Sequence, residues 1–133
     1  MYKIMALDIG TKRIGIALSD FLRVISSGYS YINRVPEDDA YKKIYDIAKE
    51  NKVKIIVAGV PVNMDGSKGF QAKDCMDFAS KIEGYELVFE DERLTSELAE
   101  ENLREQGIDY RNEKGLVDKE SARLILEQYL ARL

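Results

Sequence analysis

Lys3-Ile4-Met5-Ala6-Leu7-Asp8-Ile9-Gly10-Thr11-Lys12-Arg13-Ile14-Gly15-Ile16-Ala17-Leu18 decides how the rest of the chain is read. Two apolar runs, 3–9 and 14–18, flank Gly10-Thr11-Lys12-Arg13, a turn of hairpin length containing glycine. A third, weaker strand is expected over 24–32, so the first third reads as an antiparallel meander. The period then changes. Between Glu37 and Asn51 the apolar residues Tyr41, Ile44, Tyr45 and Ala48 recur at helical spacing. Val53 to Val60 is a short continuous apolar run rich in β-branched residues, the pattern of a strand buried on both faces.

Beyond Pro61 the alternation continues. Residues 68–83 are predicted helical, with Ala72, Cys75, Met76, Ala79 and Ile82 on one face. Glu86 to Glu90 is predicted as a strand, and a helix follows from about Ser96 to Gln106, stopped by Gly107. The last helix is predicted from Asp118 to Leu133, with Ala122, Ile125, Leu126, Tyr129 and Leu130 inward. The order βββαβαβαα describes an α/β domain with a mixed five-stranded sheet, three antiparallel strands plus two parallel, and helices on both faces. With 133 residues and no linker, repeat or low-complexity segment, residues 1–133 read as one domain.

Composition narrows the chemistry. Hydrophobic residues make up 45% of the chain, enough for a core, and the 33% that are charged are dispersed rather than blocked. The absence of histidine excludes a Ser-His-Asp triad, a Cys-His pair and a His-ligated zinc site built from this chain alone. A single cysteine, Cys75, excludes an internal disulfide and reads as core filling. Demanding chemistry is left to Asp and Glu, which need a metal ion to do it near neutral pH. The sequence has no signal-peptide pattern and no stretch long enough to span a bilayer, so a cytoplasmic location without membrane association is expected. Net charge is −4, but residues 1–34 carry Lys3, Lys12, Arg13, Arg23 and Arg34 against Asp8 and Asp20, a local +3 that could face phosphates.

Four places could carry chemistry. Asp8 interrupts an apolar strand, where an unpaired charge is expensive to bury and a metal ion would offset the cost; the alternative is a strand-end residue bonding the Gly10 turn. Glu90-Asp91-Glu92 places three carboxylates at a strand end, where alternation sends Asp91 to the face opposite Glu90 and Glu92. Asp118 reads equally as the N-cap of the last helix and as a ligand. The segment from Val60 to Ser67 leaves the buried strand at its carboxyl end, where Asn63, Ser67 and the Gly66 amide could take phosphate or sugar, or simply form a turn.

Four ordered blocks resemble the YqgF/RuvX-like family of Holliday-junction-resolvase-like and pre-16S rRNA nucleases. They are Asp8-Ile9-Gly10-Thr11-Lys12-Arg13-Ile14-Gly15, Pro61-Val62-Asn63-Met64-Asp65-Gly66, Asp91-Glu92-Arg93-Leu94-Thr95-Ser96, and Val117-Asp118-Lys119-Glu120-Ser121-Ala122. The first block alone would also suit actin-like ATPases, which clasp nucleotide between two such domains, and this chain has room for one. The resemblance implies a ribonuclease-H-like fold and a carboxylate triad of Asp8, Glu92 and Asp118, with Asp91 in reserve for the middle place. It implies phosphodiester hydrolysis with Mg²⁺ or Mn²⁺, Asp8 bridging two ions and Glu92 and Asp118 each completing one. Lys12, Arg13, Asn63 and Arg93 are the candidates for holding substrate. The expected partner is nucleic acid, pre-rRNA first and branched DNA second, with the protein a monomer or a homodimer. A non-catalytic RNA-binding or ribosome assembly factor is the remaining alternative.

Overall fold

The computed structural model describes residues 1–62, 69–92 and 95–133. The elements run β1 (Lys3–Ile9), β2 (Arg13–Ser19), β3 (Ser26–Asn33), α1 (Glu37–Glu50), β4 (Val53–Pro61), α2 (Phe70–Ser80), β5 (Glu86–Glu92), α3 (Thr95–Glu105) and α4 (Gly115–Leu130). The sheet order is β3-β2-β1-β4-β5. β1 pairs antiparallel with β2, and β2 with β3, while β4 pairs parallel with β1 and β5 parallel with β4. The mixed five-stranded sheet expected from the element order is therefore present, and β1 is its central strand.

The period of two in β1 divides the core. Met5, Leu7 and Ile9 face one side, packed with Ile44 and Ala48 of α1 and Cys75, Phe78 and Ala79 of α2. Ile4 and Ala6 face the other, packed with Ala122, Ile125 and Leu126 of α4. Each large aliphatic side chain buried this way contributes about 1.5–3 kcal/mol. Because both faces are covered, β1 and β4 can be apolar almost throughout. The edge strand β3 is mostly exposed, which explains its weaker pattern.

Some boundaries shift. α2 ends at Ser80, so Ile82 is buried beyond the helix, and Phe78 rather than Met76 completes its inner face. β5 continues past Glu90 to Glu92 because Gly59 and Pro61 of β4 still pair with Glu90 and Glu92. α4 begins at Gly115, a turn earlier than the sequence suggests. Among the described residues no helix is long and apolar enough to cross a membrane.

Candidate active site

Asp8 lies on the α4 side of β1, in line with Ile4 and Ala6. The β1–β4 register pairs Leu7 with Ala58, which sets Asp8 beside Gly59, and the β4–β5 register pairs Pro61 with Glu92. Glu90 and Glu92 share the α4 side of β5, since Glu90 accepts a hydrogen bond from Gln128 of that helix. Glu92 then leans back over β4 towards Asp8. A Cβ built on Gly59 would stand 2.7 Å from Glu92 Oε2 and 2.5 Å from Ile125 Cδ1, so only glycine leaves that path open. Across it Asp8 and Glu92 come within interaction range of each other, near enough to hydrogen-bond when one of them is protonated.

α4 supplies the third carboxylate. Gly15 of β2 is the ladder partner of Asp8, and the backbone of Asp118 rests directly on it. A Cβ at Gly15 would come within 1.9 Å of the Asp118 carbonyl oxygen. The helix is thus seated against the strand next to Asp8. The N-cap reading of Asp118 is corrected: Lys114 precedes the helix without a side-chain cap bond, and Asp118 lies inside the first turn. There its charge still suits the positive end of the helix dipole, and its Oδ2 accepts a 2.7 Å hydrogen bond from Arg13 Nε.

The electrostatics follow from this convergence. Asp8 is at the floor of a cleft, enclosed by protein yet still touched by solvent. Burial holds its carboxyl well above the ordinary range, and the charges of Glu92 and Asp118 and the Glu92 hydrogen bond push the same way. Burial also raises Glu92, with the charge of Asp118 adding to it and hydrogen bonding to Thr95 and Asp8 offsetting part. Burial and mutual repulsion therefore make the doubly ionised pair costly in the absence of a cation. The Thr95 hydroxyl is buried and has no well-aligned partner, so its help to Glu92 is electrostatic more than a formed bond. Oxygen-only donors whose ionised forms are costly in this setting fit a hard divalent cation such as Mg²⁺ or Mn²⁺. Among the described residues no group of three or more Asp, Glu or Cys side chains is set to hold an ion as placed. Asp118 is turned instead to Arg13.

The cleft is about 310 Å³, with Lys12 and Arg13 on the β1–β2 turn and Gln71, Asp74 and Cys75 on α2. Arg34, at the end of β3, ties these walls together. Its Nη1 donates to the Gly10 carbonyl at 3.1 Å and to Asp74 at 2.6 Å, and its Nη2 donates to Asp74 at 2.8 Å. Burial pushes the Cys75 thiol up to about 12, and its S–H donates to the Ile9 carbonyl at 3.1 Å, in keeping with a packing role.

Of the residues singled out in the sequence, Asp8, Glu92, Asp118, Lys12 and Arg13 meet at this cleft. Asp91 is exposed and points by alternation to the face away from Asp8, so it is Glu92 rather than Asp91 that lies beside Asp8. Asn63, Gly66, Ser67 and Arg93 lie outside the described residues. Of the basic residues in the first third, Arg34 is buried against Asp74, while Lys3 and Arg23 lie over the rings of Phe21 and Tyr2. Sequence reasoning missed Arg34, Asp74 and Thr95 as parts of the site and Gly15 and Gly59 as the gaps that let it form. The positions of Gly15 and Gly59 within apolar runs were the signal of a close approach there.

The family model described as "RuvX: Holliday junction resolvase" matches residues 2–132. A curated relative from Endomicrobium trichonymphae is 42% identical over 134 residues, covering 98% of this chain and 96% of its own. One from Trichormus variabilis is 39% identical over 129 residues, covering 95% and 85%. Both carry the name "Putative pre-16S rRNA nuclease". Two solved structures share the fold at low identity. T. thermophilus RuvC in complex with Holliday junction substrate has a TM-score of 0.54 at 10% identity, with 99% of this chain and 96% of that one covered. Fowlpox virus resolvase with Holliday junction DNA has a TM-score of 0.56 at 9% identity, with 98% and 97% covered. The match along nearly the whole sequence, together with the ribonuclease-H-like fold, places this chain in the RuvX family.

Proposed function

We infer that this protein is a metal-dependent nuclease that hydrolyses phosphodiester bonds, and that its substrate is the precursor of 16S rRNA, processed at the 5′ end. The observation that carries the reading is the convergence of Asp8, Glu92 and Asp118 from β1, β5 and α4 at one cleft, with a buried pair that resists double ionisation. Asp8, Glu92 and Asp118 would hold Mg²⁺ or Mn²⁺. Bound there, divalent cations lower the pKa of an attacking water and offset charge on the leaving oxygen. Asp8 and Glu92, in a poorly solvated floor, attract such a cation more strongly than exposed carboxylates would. Lys12 and Arg13 would bind and orient the phosphates beside the scissile bond, with Asn63 and Arg93 as further candidates. The curated relatives' name supports the RNA substrate, which would be met in the cytoplasm.

Branched DNA is the second reading, favoured by the description of the family model. Paired cuts in a four-way junction would require a symmetric dimer. The deciding experiment incubates the protein with precursor 16S rRNA, four-way junction DNA and single-stranded controls, with Mg²⁺ or Mn²⁺, and maps the cuts. Discrete cuts near the mature 5′ end of the rRNA are expected. Symmetric cuts confined to the junction would transfer the assignment to DNA. Binding without cleavage under every divalent cation would leave an RNA-binding assembly factor.

A further inference from the structure

One of the three site carboxylates is already engaged. Arg13 Nε donates to Asp118 Oδ2 at 2.7 Å, in a pair whose side chains are 30% and 20% exposed. Neither backbone has room to adjust. Arg13 begins β2, its carbonyl accepts the Gly10 N–H at 2.9 Å, and it pairs with Asn33 across the sheet. The Asp118 backbone is pressed on Gly15. The side chains are what can move, and both line the cleft that holds Asp8 and Glu92.

Two kinds of positive charge therefore have a claim on Asp118. A divalent cation shared with Asp8 and Glu92 needs its oxygens, and Arg13 holds one of them. An arginine freed from a carboxylate is well suited to phosphate, which takes the same planar, charge-assisted hydrogen bonds. A nucleic-acid backbone entering the cleft would supply that phosphate.

We propose that Arg13 is an exchangeable counter-ion: it holds Asp118 while no cation is bound and passes to a substrate phosphate when a divalent cation takes Asp118. This rests on the metal-dependent reading above. Cation alone must release Arg13 into water, and nucleic acid alone meets an arginine already paired. Together each gives the other's partner somewhere to go, so each raises the other's affinity by the same factor. The arrangement would keep the cleft from assembling a fully armed centre before nucleic acid is present.

The test is calorimetric titration of the metal-stripped protein with Mn²⁺, without nucleic acid, for the parent, Arg13→Gln and Lys12→Gln. Arg13→Gln is expected to bind Mn²⁺ about fivefold more tightly than the parent, the scale of a partly exposed ion pair. Lys12→Gln removes the same charge from the same turn without touching Asp118, and is expected to change affinity less than about twofold in 0.15 M salt. A variant-free reading comes from the Arg13 Nε–H resonance of the parent, which should be protected without metal and lose protection as Mg²⁺ is added. Equal or weaker binding by Arg13→Gln, an equal gain in Lys12→Gln, or an Arg13 signal unmoved by bound Mg²⁺ would each overturn the exchange. A parent that takes up no Mn²⁺ removes the metal-dependent reading, and the exchange with it. A parent that binds Mn²⁺ beside an unchanged Arg13→Gln removes the exchange alone.

Discussion

Gly15→Ala should damage both stability and catalysis through one methyl group. The new carbon would lie 1.9 Å from the Asp118 carbonyl oxygen and 2.3 Å from its carbon. A carbon–oxygen contact settles at about 3.3–3.6 Å, so the first turn of α4 and β2 must part by roughly 1.5 Å. The obstacle is backbone on both sides, each held by its own hydrogen bonds, so no rotamer change relieves it. Overpacking of this kind costs about 3 kcal/mol, the upper end of the usual range, less the few tenths gained from a stiffer unfolded chain. In a domain of this size that lowers the melting temperature by about 10 °C. A shift of about 1 Å in a catalytic group costs roughly 100-fold in rate, so a loss of at least that size is expected well below the melt. Gly28→Ala is the matched control. Its Cβ would meet the Lys119 side chain at 3.1 Å, which can swing aside, and a loss under about 1 kcal/mol with normal cleavage is expected. Thermal melts and cleavage rates of the two variants side by side give the answer. A Gly15→Ala protein as stable and active as the parent would show that α4 does not seat Asp118 on β2 as described.

Glu90 shares a face of β5 with Glu92 but is bonded away to Gln128 and Arg132 of the C-terminal region, so Glu90→Gln should cost about 1 kcal/mol and leave cleavage near the parent rate. Glu92→Gln should nearly abolish cleavage, and equal effects of the two changes would remove the distinction. In chelator, stability should depend on pH through Asp8, whose folded pKa is raised by burial and by Glu92 and Asp118. An acid raised on folding contributes stability below its unfolded pKa of about 4 that is lost as pH rises through the folded value. Asp8→Asn should therefore melt level with the parent near pH 4 and progressively above it towards pH 7, a trend that melts across the range would reverse or flatten if Asp8 were unstrained. Cys75, pushed up to about 12, should resist thiol reagents in the native protein and react on unfolding; rapid native labelling would contradict its burial.

Asp8 was legible because its strand is otherwise apolar, and a lone carboxylate in such a run needs a reason. The sheet was legible because the hairpin and the later β-branched runs differ in period from the helices between them. The middle carboxylate was not. Alternation separates Asp91 from Glu92 but does not say which face meets Asp8, and that choice is made by the register of β5 on β4 and by Gln128 reaching Glu90. Asp118 read equally as cap and as ligand, because Asp commonly caps helices. The helix instead starts at Gly115, where the ring of Tyr31 on β3 occupies the space a side chain would need, a contact made only in the folded sheet. Arg34 and Asp74 are 40 residues apart and meet only when α2 packs beside the β1–β2 turn. Relationships of that kind are set by tertiary packing and leave no local pattern.

Cleavage of precursor 16S rRNA by the parent and by Asp8→Asn, each with Mg²⁺ and then with chelator, bears most directly on the carboxylate site. Asn keeps the shape of the side chain and removes its charge. The parent is expected to cut with Mg²⁺, stop in chelator and resume when metal is restored, while folded Asp8→Asn does not cut under any of these conditions. Cleavage by Asp8→Asn at the parent rate, or undiminished cleavage by the parent in chelator, would contradict a metal-dependent site built on Asp8.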